Sequence, residues 1–272
     1  PFLFAVAMGS NAGSALTLSG NPQNMLVARL SGLAYRTYLT RAALPTLAAL
    51  AITAGVIHWM HRRELAAPAA VESPAQSAPD ADDRVYDPWL VGLSLASLAG
   101  VVAANLAGAP LAWSALVGAS VVLVVARERA ESLLERVDWS VLLFFAGLFV
   151  VVAALRKTAL PDAWLAAVGP VRAGSGELAL VGVLSLGSQV VSNVPLILLL
   201  EPWIRTFDDA GRAWTLTALV ATLAGNLTLL GSVANIIVLE RARERVGFVE
   251  YLRVGVPVTL LSTAAAVALS RL

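Results

Sequence analysis

Asn11, Ser14, Thr17, Asn21 and Asn24 lie within a stretch whose flanks, Pro1 to Ala7 and Leu26 to Ala28, are apolar. Thr228, Ser232 and Asn235 sit in a second stretch of the same kind, and Ser192-Asn193-Val194-Pro195 interrupts a third. The side chains that could bind something here are amides and hydroxyls. Glycine and proline accompany them: Gly20 and Pro22 in the first stretch, Gly225 before Asn226 and then Gly231 in the second. Such positions break a helix, and a broken helix frees backbone N–H and C=O groups. Freed N–H groups at a helix start attract anions, helped by the positive end of the helix dipole. Freed carbonyls, with Ser, Thr or Asn oxygens, suit a hard cation such as Na⁺.

Other chemistries find little support. The chain has no cysteine, which excludes thiolate catalysis, disulfides and Cys-ligated metals. His58 and His61 sit beside Arg62 and Arg63 at the end of an apolar run and read as an interfacial cap. No paired carboxylates, Ser/His constellation or phosphate loop is present, so an enzyme is not expected, nor is a cofactor beyond Na⁺ as a coupling ion. A net charge of +1 without a basic stripe gives no reason to expect nucleic acid. The predicted membrane core holds no Asp, Glu, Lys or Arg, whereas proton-only transport normally wants an intramembrane carboxylate or histidine.

The elements that must position these residues are membrane helices. The chain is 58% hydrophobic and 14% charged, with a mean hydropathy of +0.77. Several runs reach the roughly 20 apolar residues that a bilayer crossing needs. We expect an all-α polytopic membrane protein. Residues 1–60 hold a broken helix, a short loop from Arg29 to Tyr38 and a helix from Leu39 to Met60 with Pro45 inside. Residues 61–87 are rich in Ala, Pro and acidic groups and read as a flexible linker. Residues 88–272 then give three spans, Pro88 to Ala107, Pro110 to Ala126 and Trp139 to Leu155, with a charged loop from Arg127 to Asp138. Arg156 to Glu177 reads as a surface segment. Residues 178–200 either cross once or turn back at Ser192-Asn193 as a re-entrant hairpin. A broken helix over 214–239, a charged loop from Glu240 to Glu250 and a final helix over 251–269, with Pro257 inside, complete the chain.

The chain contains a duplication. Leu16-Thr17-Leu18-x-Gly20-x-x-x-Asn24 matches Leu227-Thr228-Leu229-x-Gly231-x-x-x-Asn235 at a constant offset of 211 residues. Each copy is followed by a loop and a helix with an early proline. The second copy is preceded by three spans and the hairpin candidate, so an equivalent first half needs about 120 residues upstream of Pro1, and a fragment is expected. If the hairpin does not cross, each half has an odd number of spans and the halves are inverted, the plan of many secondary transporters.

With these motifs in place, Gly20-Asn21-Pro22-Gln23-Asn24, Ser192-Asn193-Val194-Pro195, Ala224-Gly225-Asn226-Leu227-Thr228 and Gly231-Ser232-Val233-Ala234-Asn235, the chain resembles the ion transporter superfamily. It is most similar to citrate-transporter-like and arsenical-pump-like permeases, with dicarboxylate and sodium/proton antiporter families as cousins. The resemblance implies inverted repeats, each with a re-entrant hairpin and a broken helix meeting near the midplane, and a homodimer that moves substrate by an elevator-like shift. It implies that Ser192, Asn193 and Val194 form a hairpin tip, and that Thr17 to Asn24 and Thr228 to Asn235 form the broken-helix motifs. No counterpart of the first hairpin lies in this sequence.

The expected function is secondary transport of a small anion, a carboxylate such as citrate, coupled to Na⁺ or H⁺, in a bacterial inner membrane. Arsenite efflux or Na⁺/H⁺ antiport is the alternative, and a non-transporting subunit or degenerate fragment the plain one. Plainer readings also exist residue by residue. Gly20 and Gly231 would serve close helix packing, Asn21-Pro22 a simple turn, and Ser14, Thr17 and Thr228 bonds back to their own helices. Gln189 reads as a packing residue and Arg241, Arg243 and Arg245 as an interfacial anchor. Of the 19 arginines and lysines, nine fall in the loops of each face, so charge does not orient the chain; tighter clustering and the resemblance put the linker in the cytoplasm.

Overall fold

The computed structural model describes residues 1–66, 87–126, 130–135, 137–242 and 246–271. Most of the linker, and Arg243 and Arg245 of the expected anchor, lie outside them. The described residues form helices without strands, and Tyr35–Ala66, Pro88–Leu106 and Phe248–Leu269 are each long and apolar enough to cross a bilayer. This is a polytopic membrane protein. It divides into two compact units, residues 1–62 with 140–272, and residues 63–139.

The first unit opens with α1 (Phe2–Ser14), a break over 15–21, and α2 (Pro22–Ser31). Sequence explains both ends of α2. Asn21 holds an extended backbone and its Oδ1 accepts from the Asn24 N–H at 2.8 Å, while Pro22 takes the first helical position, where no N–H is needed. Gly32 closes the helix at φ +68°, with its N–H on the Ala28 carbonyl. The expected loop from Arg29 to Tyr38 therefore shrinks to three residues, because α3 already begins at Tyr35 and runs to Ala66. Pro45 lies inside α3 without ending it.

The second unit contains α4 (Pro88–Leu106), α5 (Leu111–Val125) and α6 (Ala130–Glu135). Asp87 caps α4 through the N–H groups of Trp89 and Leu90. Gly108, at φ +95°, makes the turn into α5, and the buried Ser114 donates to Asn105 across the pair. The expected charged loop thus carries one short helix, α6.

The first unit resumes along α7 (Trp139–Leu155) and continues with α8 (Leu160–Val191), α9 (Asn193–Ile204) and α10 (Ala210–Ala224). A 3-10 turn over Leu229–Gly231, α11 (Val233–Arg241) and α12 (Phe248–Leu269) follow. The expected surface segment from Arg156 to Glu177 is instead mostly the first half of α8. The chain doubles back after α8. A Cβ on Gly187 would lie 3.1 Å from Leu196, and one on Gly176 would lie 3.2 Å from Phe207. Both pairs fit one antiparallel register about Ser192, so α8 and α9 form the hairpin that the sequence left open. At its base Glu201 pairs with Arg156 and, at 3.0 Å, with Arg205. Val152 of α7 packs with Val194 and Leu198 of α9 and with Leu26 and Leu30 of α2, which fixes the hairpin tip beside the first break.

The two copies interlock. α2 packs on α10, and α11 packs on α1. Since α1 corresponds to α10 and α2 to α11 at the 211-residue offset, each copy's second half-helix lies on the other copy's first.

Candidate functional site

The breaks between α1 and α2 and between α10 and α11 are held by the same bonds at the same offset. Asn24 Nδ2 donates to the carbonyls of Ser14 at 3.2 Å and Thr17 at 3.0 Å. Asn235 Nδ2 donates to those of Gly225 at 2.8 Å and Thr228 at 3.3 Å. Both amides are fully buried, so these bonds satisfy groups whose burial would otherwise be costly. Gly20 N–H bonds the Thr17 carbonyl and Gly231 N–H the Thr228 carbonyl, at 3.2 and 3.0 Å. A methyl group on Gly20 would run into the Ser14 carbonyl, and one on Gly231 would come within 2.9 Å of the Gly225 carbonyl. The glycines are therefore required by close backbone approach within each break, in place of the packing between helices that the plain reading offers.

The copies also exchange bonds reciprocally. Asn21 Nδ2 donates to Thr222 Oγ1 at 3.0 Å, and Ser232 Oγ donates to Asn11 Oδ1 at 2.9 Å. Thr222 Oγ1 in turn donates to Asn24 Oδ1, and Asn11 Nδ2 to Asn235 Oδ1, both at 3.2 Å. Asn11 and Thr222 thus hold equivalent positions, as do Asn21 and Ser232. Asn11 reaches Asn226 Oδ1 as well, at 3.0 Å, and Asn226 Nδ2 donates to the Met8 carbonyl. Ser14 Oγ bonds back to the Asn11 carbonyl, as its plain reading has it, and also accepts from Asn21 at 2.8 Å.

A cavity of about 300 Å³ opens where the breaks meet the hairpin tip. Of the residues singled out from the sequence, Asn11, Ser14, Gly20, Asn21, Pro22, Ser192, Asn193, Val194, Gly231 and Ser232 line it. Asn24, Asn226 and Asn235 lie behind, with Thr17, Gly225 and Thr228 supplying backbone carbonyls or bonds to the frame. The lining also includes Ser10, Gln23, Leu230, Ala234 and an apolar wall from α7, Phe144, Phe145 and Leu148. Ser10, Gln23, Leu230 and Ala234 belong to the broken stretches picked out from the sequence, whereas the α7 wall was passed over because nothing in an apolar span says which face turns to a cavity.

Two framework residues were passed over as well. Thr222 does for the second copy what Asn11 does for the first, and the change of residue type hides it. Gln189, read as packing, bridges the hairpin to the second break: its Nε2 donates to the Ala224 carbonyl at 2.9 Å, and its Oε1 accepts from Thr228 Oγ1 at 2.8 Å.

Three helices begin at the cavity: α2 at Pro22, α9 at Asn193 and α11 at Val233. Asn21 caps α2, and Ser232 caps α11 through the Ala234 N–H. α9 has no side-chain cap, so the N–H groups of Asn193 and Val194 lack the usual acceptor at its start. Ser192 takes φ +68° and ψ 156°, a conformation that residues with a side chain rarely adopt. Asn193 is buried, and its Oδ1 has no partner among the described residues. Among the described residues the lining carries no ionisable side chain. The arrangement offers helix starts with their N–H donors and dipoles, an unmet amide oxygen, and an apolar wall from α7 packed beside the start of α9.

The family model described as Citrate transporter matches residues 1–224. The silicon efflux transporter LSI3 of Oryza sativa subsp. japonica is 31% identical over 97% of this chain and 68% of its own length. The 46 kDa membrane protein of Mycobacterium leprae is 29% identical over 98% of this chain and 66% of its own. A transporter named arsB from Dictyostelium discoideum is 36% identical, over 57% of this chain and 29% of its own length. The chain therefore spans about two thirds of the length of the first two relatives and less of the third. No solved structure matches it.

Proposed function

The chain belongs to the citrate transporter family, a family of membrane transporters, and from that premise we propose that its cavity binds a small oxyanion, a carboxylate such as citrate, for secondary transport across a bacterial plasma membrane. The observation that carries this reading is the start of α9, which has no side-chain cap, follows the strained Ser192 and, with Ser192, Asn193 and Val194, lines a cavity where two further helices also begin. In the complete protein, taken as a homodimer, the hairpin tip and the breaks would move together with the substrate. We take Na⁺ as the coupling ion. It would bind at the breaks through the second lone pairs of carbonyls that already accept from Asn24 and Asn235. Coupling to H⁺ is the other case.

A second reading is favoured by Asn193. Its unmet Oδ1 is an acceptor, which suits a ligand bringing a hydroxyl donor. A small uncharged oxyacid, silicic or arsenous acid, has that character, and two relatives carry the names silicon efflux transporter and arsB.

Thermal stability of the full-length purified protein tests both, since a ligand bound only to the folded state raises the melting temperature. Citrate, succinate, sulfate, arsenite and silicic acid would each be tried with and without Na⁺. The carboxylate reading expects a rise with citrate or succinate, larger with Na⁺, and loss of that rise in Asn193→Ala. A rise with arsenite or silicic acid alone would move the assignment to the oxyacids. Response to Na⁺ or pH without any anion would support cation exchange and remove the anion reading.

A further inference from the structure

A second cavity, of about 520 Å³, lies at the far end of α10 from the break, at the base of the hairpin, lined by Arg41, Arg212 and Arg271 with Asp209, Leu44 and Leu269 among its walls. We propose that it binds the phosphate of an anionic phospholipid headgroup. The three guanidinium groups come from three elements: Arg41 from α3, Arg212 from α10 and Arg271 from the residues after α12. Two carboxylates offset part of this charge. Glu177 accepts from Arg212 at 3.0 Å and lies 3.7 Å from Arg271, and Asp209 caps α10 through the Arg212 N–H. Arg41 has no carboxylate of its own among the described residues, so the cluster keeps one cation in excess.

Arg41 sits against the start of α10, where the helix dipole disfavours a cation: its Nη1 and the Oδ1 of the capping Asp209 lie 2.8 and 3.4 Å from where a Cβ of Gly211 would stand. That carboxylate is shared with the helix start, which leaves Arg41 room for a further anion. The buried Nε of Arg212 has no acceptor among the described residues. A phosphate in the cavity would meet both needs, with geometry that guanidinium groups suit.

The source of that phosphate follows from the same face of α3. Leu44 and Leu47 follow Arg41 at helical spacing and are 51% and 59% exposed. They continue the cavity toward the apolar interior of a bilayer, and an acyl chain joined to a headgroup on Arg41 would lie along them. A free phosphate has no use for that surface. Basic pockets between membrane helices are a recognised form of headgroup site.

Native mass spectrometry of the full-length protein, with phosphatidylglycerol, phosphatidylcholine or inorganic phosphate added in turn, tests the proposal. Wild type should retain phosphatidylglycerol in preference to phosphatidylcholine. Arg41→Gln should lower phosphatidylglycerol occupancy about fivefold, the weight of one surface cation, with no change for phosphatidylcholine. Arg41→Lys should keep most of the binding. The melting temperature of each variant without added lipid confirms that it is folded. Equal retention of both lipids by wild type, or unchanged occupancy in a folded Arg41→Gln, would overturn the site. Full displacement of phosphatidylglycerol by excess inorganic phosphate would overturn the lipid as its occupant and assign a soluble anion.

Discussion

Asn24 and Asn235 show how a residue without charge can govern a transporter's core. Each amide ties its own helix start to two carbonyls that the preceding helix leaves open, and each then accepts from the opposite copy through Thr222 or Asn11. The glycines beside them permit this closure. Gly20→Ala should therefore destabilise the protein by about 2 kcal/mol or more through forced overpacking, whereas Gly9→Ala, inside α1 where an added methyl meets nothing within 4 Å, should keep or raise the melting temperature. Equal melting of the two variants would contradict the closure. At this scale the sequence was largely readable. The five identities shared by the copies name both framework asparagines and both glycines, because closing a break needs a carbonyl-seeking amide and a residue without Cβ. Thr222 was hidden, since an oxygen acceptor and donor in that place can be Asn or Thr, and a repeat detected by identity sees neither.

Among the elements, the hairpin was the one the sequence could not decide. An apolar helix interrupted at Ser192-Asn193 has the same composition whether the chain crosses or turns. What decides it is contact between residues distant in sequence, Gly187 with Leu196 and Gly176 with Phe207. The length of α8 was equally hidden, because tertiary packing carries a helix through a stretch of poor amphipathic pattern. The hairpin turns on a single strained residue. Ser192→Gly should raise the melting temperature, relieving about 1 kcal/mol of backbone strain, while Ser192→Val should lower it. Because the strain aims the start of α9 at the cavity, the glycine variant should also bind its substrate more weakly, measured by the ligand-induced shift. A glycine variant no more stable than wild type would mean that the tip is not strained in solution.

The whole molecule ties the two ends of the sequence together, since residues 1–62 and 140–272 form one unit while residues 63–139 form another. A protease site introduced between Ala66 and Asp87 should therefore yield two pieces that co-elute in detergent after cleavage, and Asn11→Ala, which removes bonds to Asn226, Asn235 and Ser232, should let them separate more readily. Separation of the two cleaved pieces under native conditions when Asn11 is intact would count against the interlock. The uncharged cavity has an electrical consequence. Walls without ionisable groups carry no fixed charge through the membrane field, which acts on each elementary charge with about 2.3 kcal/mol per 100 mV. In the proposed transport cycle these walls would leave the return of the empty site indifferent to voltage, and within the site the membrane potential would act on the cargo and its coupling ions alone.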